Sequence, residues 1–361
     1  MSRRPRVSVV IPTYNKAKTL AECVRAVYRQ THQPAEVIVV DDASTDGSRE
    51  IAAGLPCRLV CLPVNRGVSA ARNAGAAIAT GDVLFFVDSD IALATDAIGN
   101  ALRVLREYPD CGVVQGIYDA EPFVADGPVE VYKTLFEHYW RRRRAGVADA
   151  TLFALTAIRR PAFDSVGGFD ESLRDAEDIE FGTRLPDRYQ IRMCADVVGR
   201  HDDVDRLRPF LTEHVRRAVS YGGLLAGTLL GPGRRSVHRR TVPVPATADG
   251  PTGAQRPTSG IDVGAVAAML CCVATVTTVP LAAVSWWLLM VPAVPFAAFA
   301  GIDSGLFWFV RRRKGSLFMV YFLGMHFLMH TTQLTGMAVG FAAGVWRTAR
   351  HRSTPATGAA R

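Results

Sequence analysis

Asp88-Ser89-Asp90 follows directly on Val83-Leu84-Phe85-Phe86-Val87, and this junction carries the sequence's clearest reactive chemistry. Five apolar residues in a row read as a buried strand. In an extended chain residues i and i+2 face the same way. Asp88 and Asp90 are therefore expected to project together beyond the strand end. Two neighbouring carboxylates repel, and a hard divalent ion, Mg²⁺ or Mn²⁺, suits them, usually with substrate phosphates. A solvated acidic turn would account for an isolated Asp-x-Asp equally well, so the rest of the chain must decide.

The elements around this junction alternate. Val7 to Ile11 reads as a strand ending at Pro12, with Thr13-Tyr14-Asn15 as a loop and Ala17 to Gln30 as a helix. Glu36 to Val40 is a second strand, ending in Asp41-Asp42, and Arg58 to Leu62 a third. Ser69 to Ala79 is an alanine-rich helix that leads into the Val83 strand. Strand and helix alternating at short spacing predict an α/β fold with a mostly parallel, Rossmann-like sheet wrapped by helices. Ligands of such sheets bind beyond the carboxyl ends of the strands. Three of those ends carry polar clusters: Pro12 to Asn15, Asp41-Asp42 and Asp88 to Asp90. Arg72 lies near the start of a helix that faces the same rim. A guanidinium beside a positive helix end favours a diphosphate. Later segments are less regular. A Glu130–Trp140 helix runs into Arg141 to Arg144, a basic end suited to lipid headgroups, an acceptor phosphate or plain solvent. A strand over Ile191–Val198 leads to His201, and a long helix covers Arg206–Leu230.

Composition changes toward the C-terminus. The chain has 361 residues, 49% of them hydrophobic, and a formal net charge of +8. Residues 231–260 are rich in Pro, Gly, Thr and Arg and read as a linker. Residues 261–346 are mostly apolar and predict two to three membrane-spanning helices, since about 20 apolar residues cross a bilayer. A basic tail, 347–361, closes the chain after the catalytic region 1–230. Arginine clusters beside apolar segments point to membrane lipids, and no nucleic-acid motif is present. Seven cysteines without framework spacing predict reduced thiols and a catalytic region in the cytoplasm. The apolar run Val7 to Ile11 is too short for a signal peptide.

Taken together, five segments resemble the family-2 glycosyltransferases. They are Val9-Val10-Ile11-Pro12-Thr13-Tyr14-Asn15, Val39 through Asp46, Asn65 through Gly75, Phe86-Val87-Asp88-Ser89-Asp90, and Gly167 through Glu171 followed by Glu177-Asp178. Their order spans roughly residues 6–205. The resemblance implies a GT-A fold, nucleotide-diphospho-sugar transfer and C-terminal transmembrane helices. It assigns the nucleotide base to Asp41 and Asp42, with Pro12 and Tyr14 as a flat slot, and favours a UDP-sugar. It places the divalent ion on Asp90, with Asp88 on the ribose, the ion or both. It makes Asp178 the catalytic base that takes the acceptor proton, with Glu177 beside the oxocarbenium-like centre. Ala176 stands where the family often has glycine. His201 lies where related enzymes carry a histidine that reaches the metal or diphosphate, and imidazole suits Mn²⁺ better than Mg²⁺. The Gln-x-x-Arg-Trp motif of processive members is absent, which favours addition of a single sugar.

The expectation is thus a metal-dependent inverting transferase at the cytoplasmic membrane face. It would pass a sugar to a lipid-linked or polysaccharide acceptor of the cell envelope. A nucleotidyltransferase should carry a glycine-rich basic loop near its N-terminus, and Pro12 to Lys18 is not one. A non-catalytic partner of the same fold would not need the full set Asp88, Asp90 and Asp178.

Overall fold

The computed structural model describes residues 4–174, 176–230 and 263–353. These form two compact units. The first holds residues up to Asp126 with Lys133–Asp203; the second holds Gly127–Tyr132 and the described residues from Val204 onward.

The first unit opens with β1 (Val7–Thr13), α1 (Leu20–Tyr28), β2 (Glu36–Asp41), α2 (Ser48–Ala53), β3 (Arg58–Cys61), α3 (Val68–Ile78) and β4 (Val83–Val87). It continues with β5 (Ile91–Leu93), α4 (Ala97–Glu107), β6 (Cys111–Tyr118), most of α5 (Pro128–Arg143), β7 (Gly146–Ala148), β8 (Leu155–Arg159), α6 (Arg160–Val166), α7 (Glu177–Arg184) and β9 (Gln190–His201). The sheet order is β3-β2-β1-β4-β8-β6-β9-β5, with β7 on β9. β3, β2, β1 and β4 are parallel, the helix-wrapped half expected from the sequence. The other half is mixed: β6 and β9 are parallel, whereas β8, β5 and β7 pair antiparallel.

Strand periodicity of two sorts the core. Val9, Ile11, Val37, Val39, Phe85 and Val87 face one side and pack with Leu20 and Val24 of α1 and Leu102 of α4. Val10, Leu84 and Phe86 face the other and meet Ala76 of α3, Phe163 of α6 and Phe181 of α7. A cluster of Phe86, Phe153, Phe163, Phe169 and Phe181 fills that side, with Phe153 edge to face against Phe86, Phe169 and Phe181 and the Phe163 ring tilted on Phe86 and Phe181. α3 sits close over β1, because a Cβ at Gly75 would lie 2.4 Å from a Val10 methyl.

Two local differences from the sequence reading matter. α1 starts three residues later than expected, because polar side chains take the preceding backbone donors: Lys16 N–H goes to Ser48 Oγ and Ala17 N–H to Asp46. β4 ends at Val87, and Asp88-Ser89-Asp90 forms a turn in which Ile91 N–H donates to the Asp88 carbonyl. The same-face argument for Asp88 and Asp90 fails for this reason.

The second unit contains α8 (Leu207–Leu230), α9 (Val263–Thr278), α10 (Met290–Ile302) and α11 (Ser304–Ser353), with short 3-10 turns Val279–Ala283 and Trp286–Leu289 between α9 and α10. α11 is broken at Gly315, whose φ is 84°. α8 and α11 approach through small residues. A Cβ at Gly340 would lie 2.0 Å from the Val219 carbonyl oxygen, and one at Gly222 would lie 2.2 Å from that of Met337. A Cβ at Gly336 would lie 2.8 Å from that of Ala218 and 3.0 Å from the Val215 carbonyl oxygen, and one at Gly344 would lie 2.6 Å from that of Ala226 and 3.2 Å from the Gly223 carbonyl oxygen. Gly264–Leu281 is long and apolar enough to cross a membrane. Trp286–Ile302 and Ser304–Trp346, bent by 74°, pass the same test together. The linker expected at 231–260 and the last residues of the basic tail lie outside the described residues.

Candidate active site

Arg72 is the centre of the site. It sits on the first turns of α3, only 3% exposed, between Phe153 and Phe169, whose rings lie 5.9 and 5.5 Å from its guanidinium carbon. Its Nη2 donates to Asp88 Oδ1 at 3.1 Å. Its Nη1 donates to Glu177 Oε1 at 3.1 Å and to Asp178 Oδ1 at 3.0 Å. Three carboxylates from two distant parts of the sequence therefore meet on one buried cation. Burial alone would lower the Arg72 pKa, but Asp88, Asp178 and Glu177 together raise it. Arg72 is thus engaged with three carboxylates at this rim.

Asp178 lies in the first turn of α7. Its Oδ2 accepts the Phe153 N–H at 3.0 Å and its carbonyl accepts the Thr151 hydroxyl. The Phe153 N–H and Arg72 thus fix the two carboxylate oxygens, and Thr151 fixes the backbone beneath them. Burial pushes its pKa up against the pull of Arg72, and the charge of Glu177 adds to the rise. Asp88 is shifted the same way, by burial first, opposed by Arg72 and reinforced by Asp90 and Asp178. A carboxylate of raised pKa is a stronger base toward an acceptor hydroxyl. Ala176, just before the pair, has φ 64°. That is the left-handed region, which explains why glycine suits the position.

Asp90 faces a different neighbourhood from Asp88. β5 pairs antiparallel with β9 so that Ile91 lies opposite His201, and Asp202 N–H donates to the Asp90 carbonyl at 2.9 Å. This register sets His201 Nε2 3.6 Å from Asp90 Oδ1. His201 Nδ1 lies 3.3 Å from Asp203 Oδ2, and Lys133 Nζ holds the other Asp203 oxygen at 2.7 Å. Tyr118 stacks on the imidazole at 4.5 Å, and the Arg141 guanidinium carbon lies 4.1 Å from the centre of the Tyr118 ring. With Nδ1–H on Asp203, the Nε2 lone pair points toward Asp90, the tautomer that metal-bound histidines adopt. Asp90 Oδ1 is buried without a hydrogen-bond partner. An orphaned carboxylate oxygen and an imidazole lone pair facing one another fit a divalent ion. Lys16 Nζ sits on the other Asp90 oxygen at 2.7 Å. Burial would lower its pKa, and Asp90, Asp202 and Asp88 together raise it.

Asp41 and Asp42 are both buried at the end of β2. Asp41 accepts the Ser44 N–H and the Arg49 guanidinium. Asp42 accepts the Arg66 and Gly67 N–H groups, each at 2.7 Å, and so holds the loop that launches α3. Pro12 is buried in β1, whereas Tyr14 is 47% exposed with its ring free for stacking. Lys16, Lys18, Lys133, Asp202 and Asp203 were not singled out from the sequence. The signal for Lys16 was available: it follows a polar strand end on the ligand rim. The Lys133–Asp203 pairing joins residues 70 apart and had no local signature.

Comparison with known proteins bears on the family and the fold. Residues 8–166 match glycosyl transferase family 2. Glycosyltransferase AglE of Haloferax volcanii is 27% identical over 232 residues, 58% of this chain and 69% of the relative. The O-antigen chain rhamnosyltransferase WbaN of Salmonella anatum is 29% identical over 213 residues, 55% of this chain and 66% of the relative. Among solved structures, the mannosyltransferase PcManGT from Pyrobaculum calidifontis, in complex with GDP-Man and Mn²⁺, aligns with a TM-score of 0.53 at 22% identity. The alignment covers 96% of this chain and 88% of that one. The motifs, the GT-A fold and these relatives lead to one conclusion: residues 8–166 of this chain form a glycosyl transferase family 2 domain.

Proposed function

We propose that this protein is a metal-dependent inverting glycosyltransferase that passes a sugar from a nucleotide-diphospho-sugar to a lipid-linked or cell-envelope acceptor at the cytoplasmic membrane face. The observation that carries the proposal is the Arg72 cluster. It ties Asp88, from the donor side of the rim, to Glu177 and Asp178, from the side where an acceptor would enter. Donor and acceptor chemistry would then share one cleft.

In this reading Asp178 takes the proton of the acceptor hydroxyl as that oxygen attacks the anomeric carbon from the face opposite the nucleotide. Arg72 and the Phe153 N–H hold the carboxylate in place, and Glu177 faces the developing positive charge. Asp90 and His201 would hold the ion, with Asp203 orienting the imidazole. When bound, the ion would neutralise charge building on the leaving nucleoside diphosphate. Lys16 and Lys18 supply further positive charge at this edge. Tyr14, exposed beside the strand end, would stack on the base, and Asp41 and Asp42 would read its edge, with a uridine nucleotide favoured. The fold neighbour that holds GDP-Man and Mn²⁺ together is in keeping with a donor and ion on this rim.

A membrane location is supported by the second unit. Leu270, Val276 and Val279 lie on exposed faces of its first apolar segment, and Trp286, at the joint before α10, is 81% exposed. Exposed apolar residues beside a tryptophan belt suit a bilayer and its interface. The O-antigen relative supports an envelope acceptor. The test is a donor screen by nucleoside diphosphate release, with full-length protein in detergent and Asp178→Asn as control. Turnover of one donor by the wild type and none by the variant is expected. Full turnover by Asp178→Asn, or full activity in excess chelator, would remove the base or the ion from the scheme.

A further inference from the structure

The second unit carries a cluster that the transfer chemistry does not use. Asp303 occupies the single-residue break between α10 and α11, where the two helices bend by 74°. His326 and His330 lie one turn apart on α11 and share a face. His326 Nε2 is 2.9 Å from Asp303 Oδ2 and 3.3 Å from His330 Nε2. One ligand atom from each of the three residues lies within 4.8 Å of the others. Both imidazoles are buried, His326 fully. Phe299, Phe307 and Phe322 stand around them.

We propose that Asp303, His326 and His330 form a second divalent-metal site, one that takes Zn²⁺ and fixes the bend between α10 and α11. Two observations carry it. The first is spacing. Zinc–nitrogen bonds of about 2.0–2.1 Å make a tetrahedral edge of about 3.3–3.4 Å, which is the separation of the two Nε2 atoms. The carboxylate, now at hydrogen-bond distance, needs to open by only a few tenths of an ångström. The second is the outer contact. Tyr132 Oη lies 3.1 Å from His326 Nδ1 and donates its own proton to Met329 Sδ at 3.3 Å. In the tautomer with the proton on Nδ1, the hydroxyl oxygen accepts Nδ1–H and the Nε2 lone pair faces the Asp303 carboxylate. Two bases directed at each other in an apolar surround call for a cation between them. A second imidazole nitrogen at the same point makes that cation a metal, and His₂Asp ligation suits zinc. A partner on the non-ligating nitrogen is what ligand histidines carry.

The test uses full-length protein in detergent, stripped with chelator and dialysed against limiting Zn²⁺. After gel filtration the wild type should hold one more zinc per chain than His330→Gln, and zinc should raise its thermal midpoint but not that of the variant. Co²⁺ gives a reading on the wild type alone, free of any folding defect in the variant. Four-coordinate cobalt on nitrogen absorbs strongly in the visible, whereas the oxygen-rich Asp90 rim would give only weak six-coordinate bands. Strong bands displaced by zinc support the site. Equal zinc content in wild type and a folded variant, or weak bands only in the wild type, would overturn it and leave a proton as the shared cation.

Discussion

Replacing Arg72 by Met should test the architecture of the site most directly. The variant keeps the bulk of the side chain between Phe153 and Phe169 but leaves Asp88, Glu177 and Asp178 facing one another without a cation. Breaking a buried ion pair by removing one partner costs about 3–5 kcal/mol, and here one cation serves three anions. For a unit of this size that is roughly 6–20 °C in thermal midpoint, at about 2–4 °C per kcal/mol. Thermal unfolding followed by circular dichroism measures it. Adding Asp178→Asn removes one uncompensated charge, so the double variant should be more stable than the sum of the single effects by about 1–3 kcal/mol. Arg72→Lys keeps the charge but, as a point donor, cannot span the three partners, and should recover part of the loss. A loss below about 1 kcal/mol for Arg72→Met, additive with Asp178→Asn within about 0.5 kcal/mol, would falsify the hub.

The remaining predictions concern single groups. Asp178→Asn should lower turnover by about 10²–10⁴-fold while donor binding, read by calorimetry, persists. The folded-state pKa of Asp178 is raised by burial, so activity should fall away on the acid side with a midpoint above the ordinary value of about 3.9. By the same sign, the stability Asp178 contributes is fully present below its unfolded pKa and is lost as pH rises through its folded one. A pH–rate profile centred at or below the ordinary carboxylate value would contradict this. Lys16→Met frees an Asp90 oxygen and should tighten Mn²⁺ binding by about two- to tenfold, on the order of 1 kcal/mol; unchanged or weaker binding would count against the ion placement. Ala176→Gly should leave stability equal or up to about 1 kcal/mol higher, whereas Ala176→Val, forced to positive φ, should lose about 2 kcal/mol.

The parallel half of the fold was legible because its signals are local. Val7 to Ile11, Glu36 to Val40 and Val83 to Val87 are short β-branched or aromatic runs, each with polar residues at its carboxyl end. What could not be read was which side chains meet. Asp88 and Asp90 are two residues apart, yet a turn after Val87 sends one to Arg72 and the other to Lys16 and His201. The meeting of Asp90 with His201 depends on the β5–β9 register, a pairing across 110 residues of chain that no local pattern encodes. Arg72 reads as a diphosphate ligand by its place on the rim. Its burial among Phe153, Phe169 and three carboxylates follows from tertiary packing alone. The apolar C-terminal runs were visible as composition. The break at Gly315 and the bend at Asp303 come from backbone geometry that hydropathy does not record.

The contact between α8 and α11 has a mechanical consequence. Gly336, Gly340 and Gly344 recur every four residues and meet the backbone of Val215, Val219 and Gly223 in step along parallel helices. Backbone lies against backbone at each of these points, so any axial shift smaller than four residues drives a side chain of one helix into a carbonyl of the other. With a rise of about 1.5 Å per residue, the next allowed position is about 6 Å away. The pair therefore behaves as a detent: it holds one axial setting firmly and can leave it only by a full notch or by coming apart.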